Sequence, residues 1–171
     1  MQKVKLTGQL QADAAARYCI YVALGNMLIA AGSTIPMLIP ELGLPLVIEQ
    51  WPGTWMFIAY FILLICGVVG FVSWGVIYYL APRIMGRRTV NKLLSLIHIM
   101  FFEGSLLGVT AMMSLVAGFQ GGNLLHDGFG QFIVTRTIEW VVIPIGSLIV
   151  VALLATLVGI FNLLLSPIER Q

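Results

Sequence analysis

The run Trp55–Leu80, WMFIAYFILLICGVVGFVSWGVIYYL, decides the fold. It carries no charged residue and no histidine, and at about 1.5 Å per helical residue it is long enough to cross roughly 30 Å of hydrocarbon. On its carboxyl side it stops at Pro82, before the basic cluster Arg83, Arg87, Arg88 and Lys92. On its amino side stands a connector with Glu41, Pro45, Glu49, Gln50 and Pro52-Gly53, which is turn chemistry. Trp51 and Trp55 suit the interfacial aromatic belt.

Three further spans follow the same logic. Span one covers about Tyr18–Ile39, with Pro36 and Pro40 marking its end. The polar start before it (Lys3, Lys5, Gln9, Gln11, Asp13) does not have the form of a secretory signal, so this span is read as retained. Span three covers about Leu93–Phe119, after which Gly121-Gly122-Asn123 is expected to turn into an outer loop with His126 and Asp127. Span four covers about Thr137–Leu165, with Glu139 near its start and Pro144 as an expected kink.

Composition agrees. Of 171 residues, 60% are hydrophobic and 9% charged, against roughly 25% charged in an average soluble domain. A soluble fold could not cover its surface with so few polar groups, whereas lipid removes that demand. The net charge of +2 is too small and scattered for a nucleic-acid footprint. The expectation is one all-α integral membrane domain, residues 1–171, an antiparallel up-down bundle of four transmembrane helices.

The basic residues set its expected orientation. Lys3, Lys5, Arg17, Arg83, Arg87, Arg88 and Lys92 fall on the amino-terminal tail and the second connector. The first connector holds none and the third only Arg136. The positive-inside rule then puts both termini in the cytoplasm, in a multi-pass protein of the plasma or inner membrane.

Few side chains carry chemistry. Cys19 and Cys66 sit in apolar runs and read as small hydrophobes. Met100, Met112 and Met113 read as packing, although methionine can ligate heme. His98 and His126 lie at opposite ends of span three, on the order of 30 Å apart, and cannot share an iron. His126-Asp127 reads as a solvated loop pair, with a surface metal as the alternative. Glu103 is the one ionisable residue deep in a span, and a carboxylate there is costly. It is either a proton-path or quinol-proximal carboxyl, or a neutral acid bonded to a neighbouring helix beside Ser105 and Ser114. His98, five residues earlier, points to another face. Gly104 and Gly108, Gly67 and Gly70, and Gly146 are expected to let helices or a partner approach closely.

Span two ends in Trp74-Gly75-Val76-Ile77-Tyr78-Tyr79-Leu80-Ala81-Pro82-Arg83-Ile84-Met85-Gly86-Arg87. Span three opens with Leu96-Ile97-His98 and closes with Val116-Ala117-Gly118-Phe119-Gln120-Gly121. These strings resemble the last third of the catalytic subunit (subunit I) of heme–copper oxygen reductases, nearest the C-type cytochrome c oxidase and nitric oxide reductase branches. The likeness covers about residues 55–165, weakly in span four. Its cytoplasmic Pro-Arg connector agrees with the orientation above. In that family the helix matching span two carries a His-x-His pair of heme ligands. The matching positions here are Tyr60 and Ile62, which offer no imidazole.

The resemblance therefore implies a heme-less relative or a non-catalytic accessory subunit of a respiratory complex. Heme and copper would sit in partner membrane subunits, including a heme-bearing one, and this chain would bind no cofactor or metal alone and hold no catalytic residue. Lipid, and a quinone as a further candidate, would occupy helix clefts. Glu103 and His98 are the candidate proton-path or quinol-proximal residues. Two alternatives stand beside this reading: a homo-oligomeric proton or small-solute carrier using Glu103, and a quinone- or heme-binding membrane enzyme.

Overall fold

The computed structural model describes residues 2–39, 51–85 and 90–165, with side chains from Asp13 onward in these ranges. Among the described residues every regular element is a helix. Four are long and apolar enough to span a membrane. We label them α1 (Gln2–Met37), α2 (Thr54–Ile84), α3 (Lys92–His126) and α4 (Gln131–Leu164). The first connector, with Glu41, Pro45 and Glu49, lies outside the described residues, as do Arg87 and Arg88.

Paired side chains give the topology. Along α1 the numbers rise as their partners on α2 fall: Asp13 meets Arg83, Asn26 meets Gly67, and Thr34 meets Tyr60. The same inversion relates α2 to α3 through Tyr78–His98 and the close approach of Met56 to Gly118. It relates α3 to α4 through Asn91–Asn162 and Gly108–Leu148. Each helix is therefore antiparallel to the next. α1 packs chiefly on α2, and α3 chiefly on α4, with α2 and α3 joining the two pairs.

Small side chains make these approaches possible. The inner stripe of α1 is Ala15, Cys19, Ala23, Asn26 and Ala30, all buried and spaced three or four residues apart. That spacing keeps them on one helix face, so α2 can lie close against backbone. On α3, a Cβ at Gly118 would fall 2.8 Å from the Met56 backbone nitrogen. Gly67, Gly75, Gly108, Gly121 and Gly159 are similarly crowded, whereas Gly104 and Gly146 meet nothing within 4 Å and Gly70 only a carbonyl at 3.5 Å. Of the glycines expected to mediate packing, Gly67 and Gly108 thus do so inside the bundle, and Gly104 opens outward.

Several boundaries differ from expectation for physical reasons. Span one was expected from Tyr18; its helix begins earlier, and Ala15 and Ala16 are buried. Pro82 does not end α2, which runs to Ile84 with Pro82 buried in the closing turn. Gly121-Gly122-Asn123 is helical, because Gly121 lies against Pro52 and Ile138 where the helix must continue to pack. The reversal comes at Gly128, whose φ of 86° suits glycine. There Gly128 N–H donates to the Leu125 carbonyl and Phe129 N–H to the Leu124 carbonyl, the paired bonds of a Schellman cap. The irregularity in α4 is a 3₁₀ turn at Glu139–Val141. Pro144 sits in the first turn after it, among the residues whose N–H groups have no partner within that α-helix.

Two stretches wind as π-helix, Leu63–Gly70 in α2 and Met112–Gln120 in α3. The share of each span's most apolar stretch buried within the chain runs from 17% in α4 to 33% in α3. The exposed remainder, such as Leu28, Ile65 and Ile143, matches a surface solvated by hydrocarbon.

Gly118→Ala is expected to lower stability by about 1–3 kcal/mol, because the new methyl meets the Met56 backbone. Gly104→Ala should be neutral or stabilising by up to about 1 kcal/mol through helix propensity. Thermal unfolding of both variants in mild detergent checks this; equal melting would remove the packing assignment.

Candidate functional site

Two polar groupings lie within the apolar bundle, and they separate the two residues singled out from sequence. The first is held between α1, α2 and α3. Asn26, 1% exposed, donates from Nδ2 to the Gly67 carbonyl at 3.0 Å and to Glu103 Oε2 at 3.1 Å. The Gly67 carbonyl lies within the α2 π-helix, whose altered register changes which backbone acceptors remain available to a neighbour. Gly67 also clears the space: a Cβ there would lie 3.0 Å from Asn26 Nδ2. The amide orientation follows, since the reverse would set two oxygens against each other. Asn26 Oδ1 is buried and has no partner among the described residues. Glu103 itself is half-buried.

One helical turn further along the same seam lies a cleft of about 300 Å3. Leu63 and Leu107 line its inner end, each four residues from Gly67 and Glu103 respectively. Ser33, Tyr60, Thr110 and Ser114 line it further out. The Ser33 and Thr110 hydroxyls bond their own helix carbonyls, the usual way such groups are satisfied in a membrane.

The second grouping joins α2, α3 and α4. His98 is fully buried, and its Nδ1 lies 2.8 Å from the Tyr78 hydroxyl. The Trp74 ring packs edge-on at a centroid distance of 4.3 Å, and Phe102 closes another side at 6.1 Å. From α4, Gly159 presses its backbone to the imidazole: a Cβ there would lie 2.8 Å from Nδ1. His98 Nε2 has no partner among the described residues. Nearby, Asn162 donates to Ser95 Oγ at 2.9 Å and to the Asn91 carbonyl at 3.1 Å. It also accepts from Asn91 N–H at 2.9 Å. Asn91 in turn caps α3 by accepting from Leu93 and Leu94 N–H. The start of α3 is thereby tied to the end of α4.

His98 and Glu103 do not meet: one faces α2 and α4, the other α1. His126 and Asp127 are exposed at the end of α3, and Glu139 is exposed at the α4 turn. Cys19 is buried and Cys66 half-buried, both as free thiols. Met113 is buried, whereas Met100 is exposed. Asn26, Asn162 and Gly159 carry no expectation from sequence, and Tyr78 enters there only as part of the Trp74–Arg87 string. Their signal was present as polar or missing side chains in otherwise apolar spans.

Compared with known proteins, the chain matches no family model, no curated protein and no solved structure.

Tyr78→Phe removes the hydroxyl at His98 Nδ1 and is expected to cost about 0.6–2 kcal/mol, the range for interhelical hydrogen bonds in membranes. In a double-mutant cycle with His98→Phe that cost should vanish. Unfolding in mixed micelles measures it, and an unchanged cost in the second background would dismiss the pairing.

Proposed function

We propose that this chain is a non-catalytic subunit of a respiratory membrane complex of the heme–copper terminal oxidase type. It packs against the heme-bearing subunit and shields it from lipid. The observation that carries this reading is the 2.8 Å contact between Tyr78 and His98. The two residues belong to separate strings that resemble the oxidase catalytic subunit, and they lie together in one buried node with Trp74.

The donor groups favour a heme-less role. Tyr60, at a position matching a family heme ligand, has its hydroxyl 3.0 Å from Thr34 Oγ1, and Ile62 packs into the apolar core. His98 is enclosed by Trp74, Phe102 and the Gly159 backbone. Those surroundings do not fit a porphyrin at His98, which favours the reading in which a partner carries heme and copper. Arg17, Arg83 and Lys92 gather at one end of the bundle, which favours cytoplasmic termini in a plasma or inner membrane.

Purification of the native assembly in mild detergent, with subunit identification and a visible spectrum, tests the proposal. A heme-bearing partner should copurify, with Soret absorption in the assembly and none from the isolated chain. Porphyrin retained by the chain alone would end the reading.

A carrier reading draws on the mostly apolar cleft one turn from Glu103, whose lining includes Ser33, Tyr60, Thr110 and Ser114. It expects proton flux in liposomes holding only this chain, abolished by Glu103→Gln. Absence of flux leaves the subunit reading.

A further inference from the structure

A groove of about 810 Å3 runs along the outside of the α1–α2 pair, beginning at the end that carries Arg17 and Arg83. At its floor the missing side chain of Gly75 lets α1 and α2 approach closely: a Cβ there would lie 3.2 Å from Ile20 Cδ1 and 3.3 Å from the Ala16 carbonyl oxygen. Ile20 and Tyr21 form one bank; Val76 and Tyr79 form the other. From Asp13 to Tyr21 the groove follows eight helical residues, about 12 Å. Tyr21 is 64% exposed and Tyr79 47%, so both aromatic rings border an open trough.

The charges at its mouth are unequal. Asp13 Oδ1 is paired with Arg83 Nη2 at 2.9 Å. Arg83 is further held by the Tyr79 carbonyl and lies 3.6 Å over the Tyr79 ring. Arg17 uses only Nε, donating to the Asp13 carbonyl at 3.3 Å. Its two terminal nitrogens have no partner among the described residues. Among the described residues two guanidinium groups stand against one carboxylate at this mouth, and the one without a carboxylate partner is Arg17.

We propose that this groove binds an anionic phospholipid, with the phosphate on Arg17 and an acyl chain laid between Tyr21 and Val76. A guanidinium fork matches phosphate oxygens in a bidentate way that a point charge does not. Basic pockets between membrane helices select anionic head groups for this reason. Pairing with Arg83 removes the repulsion Asp13 would otherwise exert. A zwitterionic lipid brings an ammonium group to a mouth already positive, and so binds less well. A neutral benzoquinone-headed lipid could enter the trough but would gain nothing from Arg17. The site lies wholly within one chain and does not depend on the proposed subunit role.

Native mass spectrometry of the full chain in mild detergent, with equimolar phosphatidylglycerol and phosphatidylcholine of matched acyl chains, tests it. Phosphatidylglycerol should be retained in roughly fivefold preference, the factor expected for one basic residue at a membrane surface. Arg17→Gln should bring that ratio to about one while Arg17→Lys keeps part of it. Val76→Trp, which fills the trough from its exposed bank, should reduce retention of both lipids. Melting curves for the three variants establish that the bundle is intact. Equal retention of the two lipids by the unaltered chain would overturn the proposal, as would a ratio unchanged in Arg17→Gln. So would a benzoquinone-headed lipid that displaces phosphatidylglycerol equally well from the unaltered chain and from Arg17→Gln.

Discussion

A polar side chain turned into hydrocarbon has no water to bond, so each one inside this bundle must find its partner on the chain itself. Asn26, Tyr78, His98 and Asn162 each make such a bond across a helix boundary, although Asn26 Oδ1 and His98 Nε2 have no partner among the described residues, and each bond made fixes two helices in one register. Sliding α1 along α2 by one turn would break the Asn26 contacts with Gly67 and Glu103 together. Sliding α3 along α4 would free both ends of the Asn162 amide and the Asn91 peptide it serves. Apolar packing between helices in lipid supplies little such discrimination, because lipid tails are as apolar as leucine.

These bonds require close backbones, and the small residues provide them. Gly67 sits where a methyl would strike the Asn26 amide, and Gly159 where one would strike the His98 ring. The alanine and cysteine stripe of α1 serves the same end over a longer contact. Small residues and polar residues therefore act jointly: the first permit the approach, the second select its register. The π-helical winding of α2 belongs to the same arrangement, since the Gly67 carbonyl that receives Asn26 lies within it.

For function, the consequence is a separation of two groups that sequence alone would consider together. His98 is walled in by rings and backbone, which suits a positioning role in the bundle. Glu103 remains half-buried, holds one bond from Asn26, and stands one turn from a mostly apolar cleft that includes four hydroxyl side chains. A group enclosed on every side is suited to holding helices, while one with an open side is available to water, lipid or a neighbouring subunit.

Membrane class, helix number and the approximate spans were legible in the sequence, because the energetic demand of hydrocarbon acts on length and composition. The charge-free run Trp55–Leu80 and the near absence of charged residues elsewhere in the spans express it directly. The different faces of His98 and Glu103 also followed from helical spacing. The helical course of Gly121–His126, the cap at Gly128 and the 3₁₀ turn just before Pro144 were not legible, because tertiary contacts such as those of Pro52 and Ile138 with Gly121 decide such details. Nor could spacing distinguish Gly108, pressed by Leu148, from Gly104, which faces outward four residues away. Which glycine touches a neighbour, and which asparagine finds an acceptor, depends on helix rotation and depth, and only the packed bundle sets those.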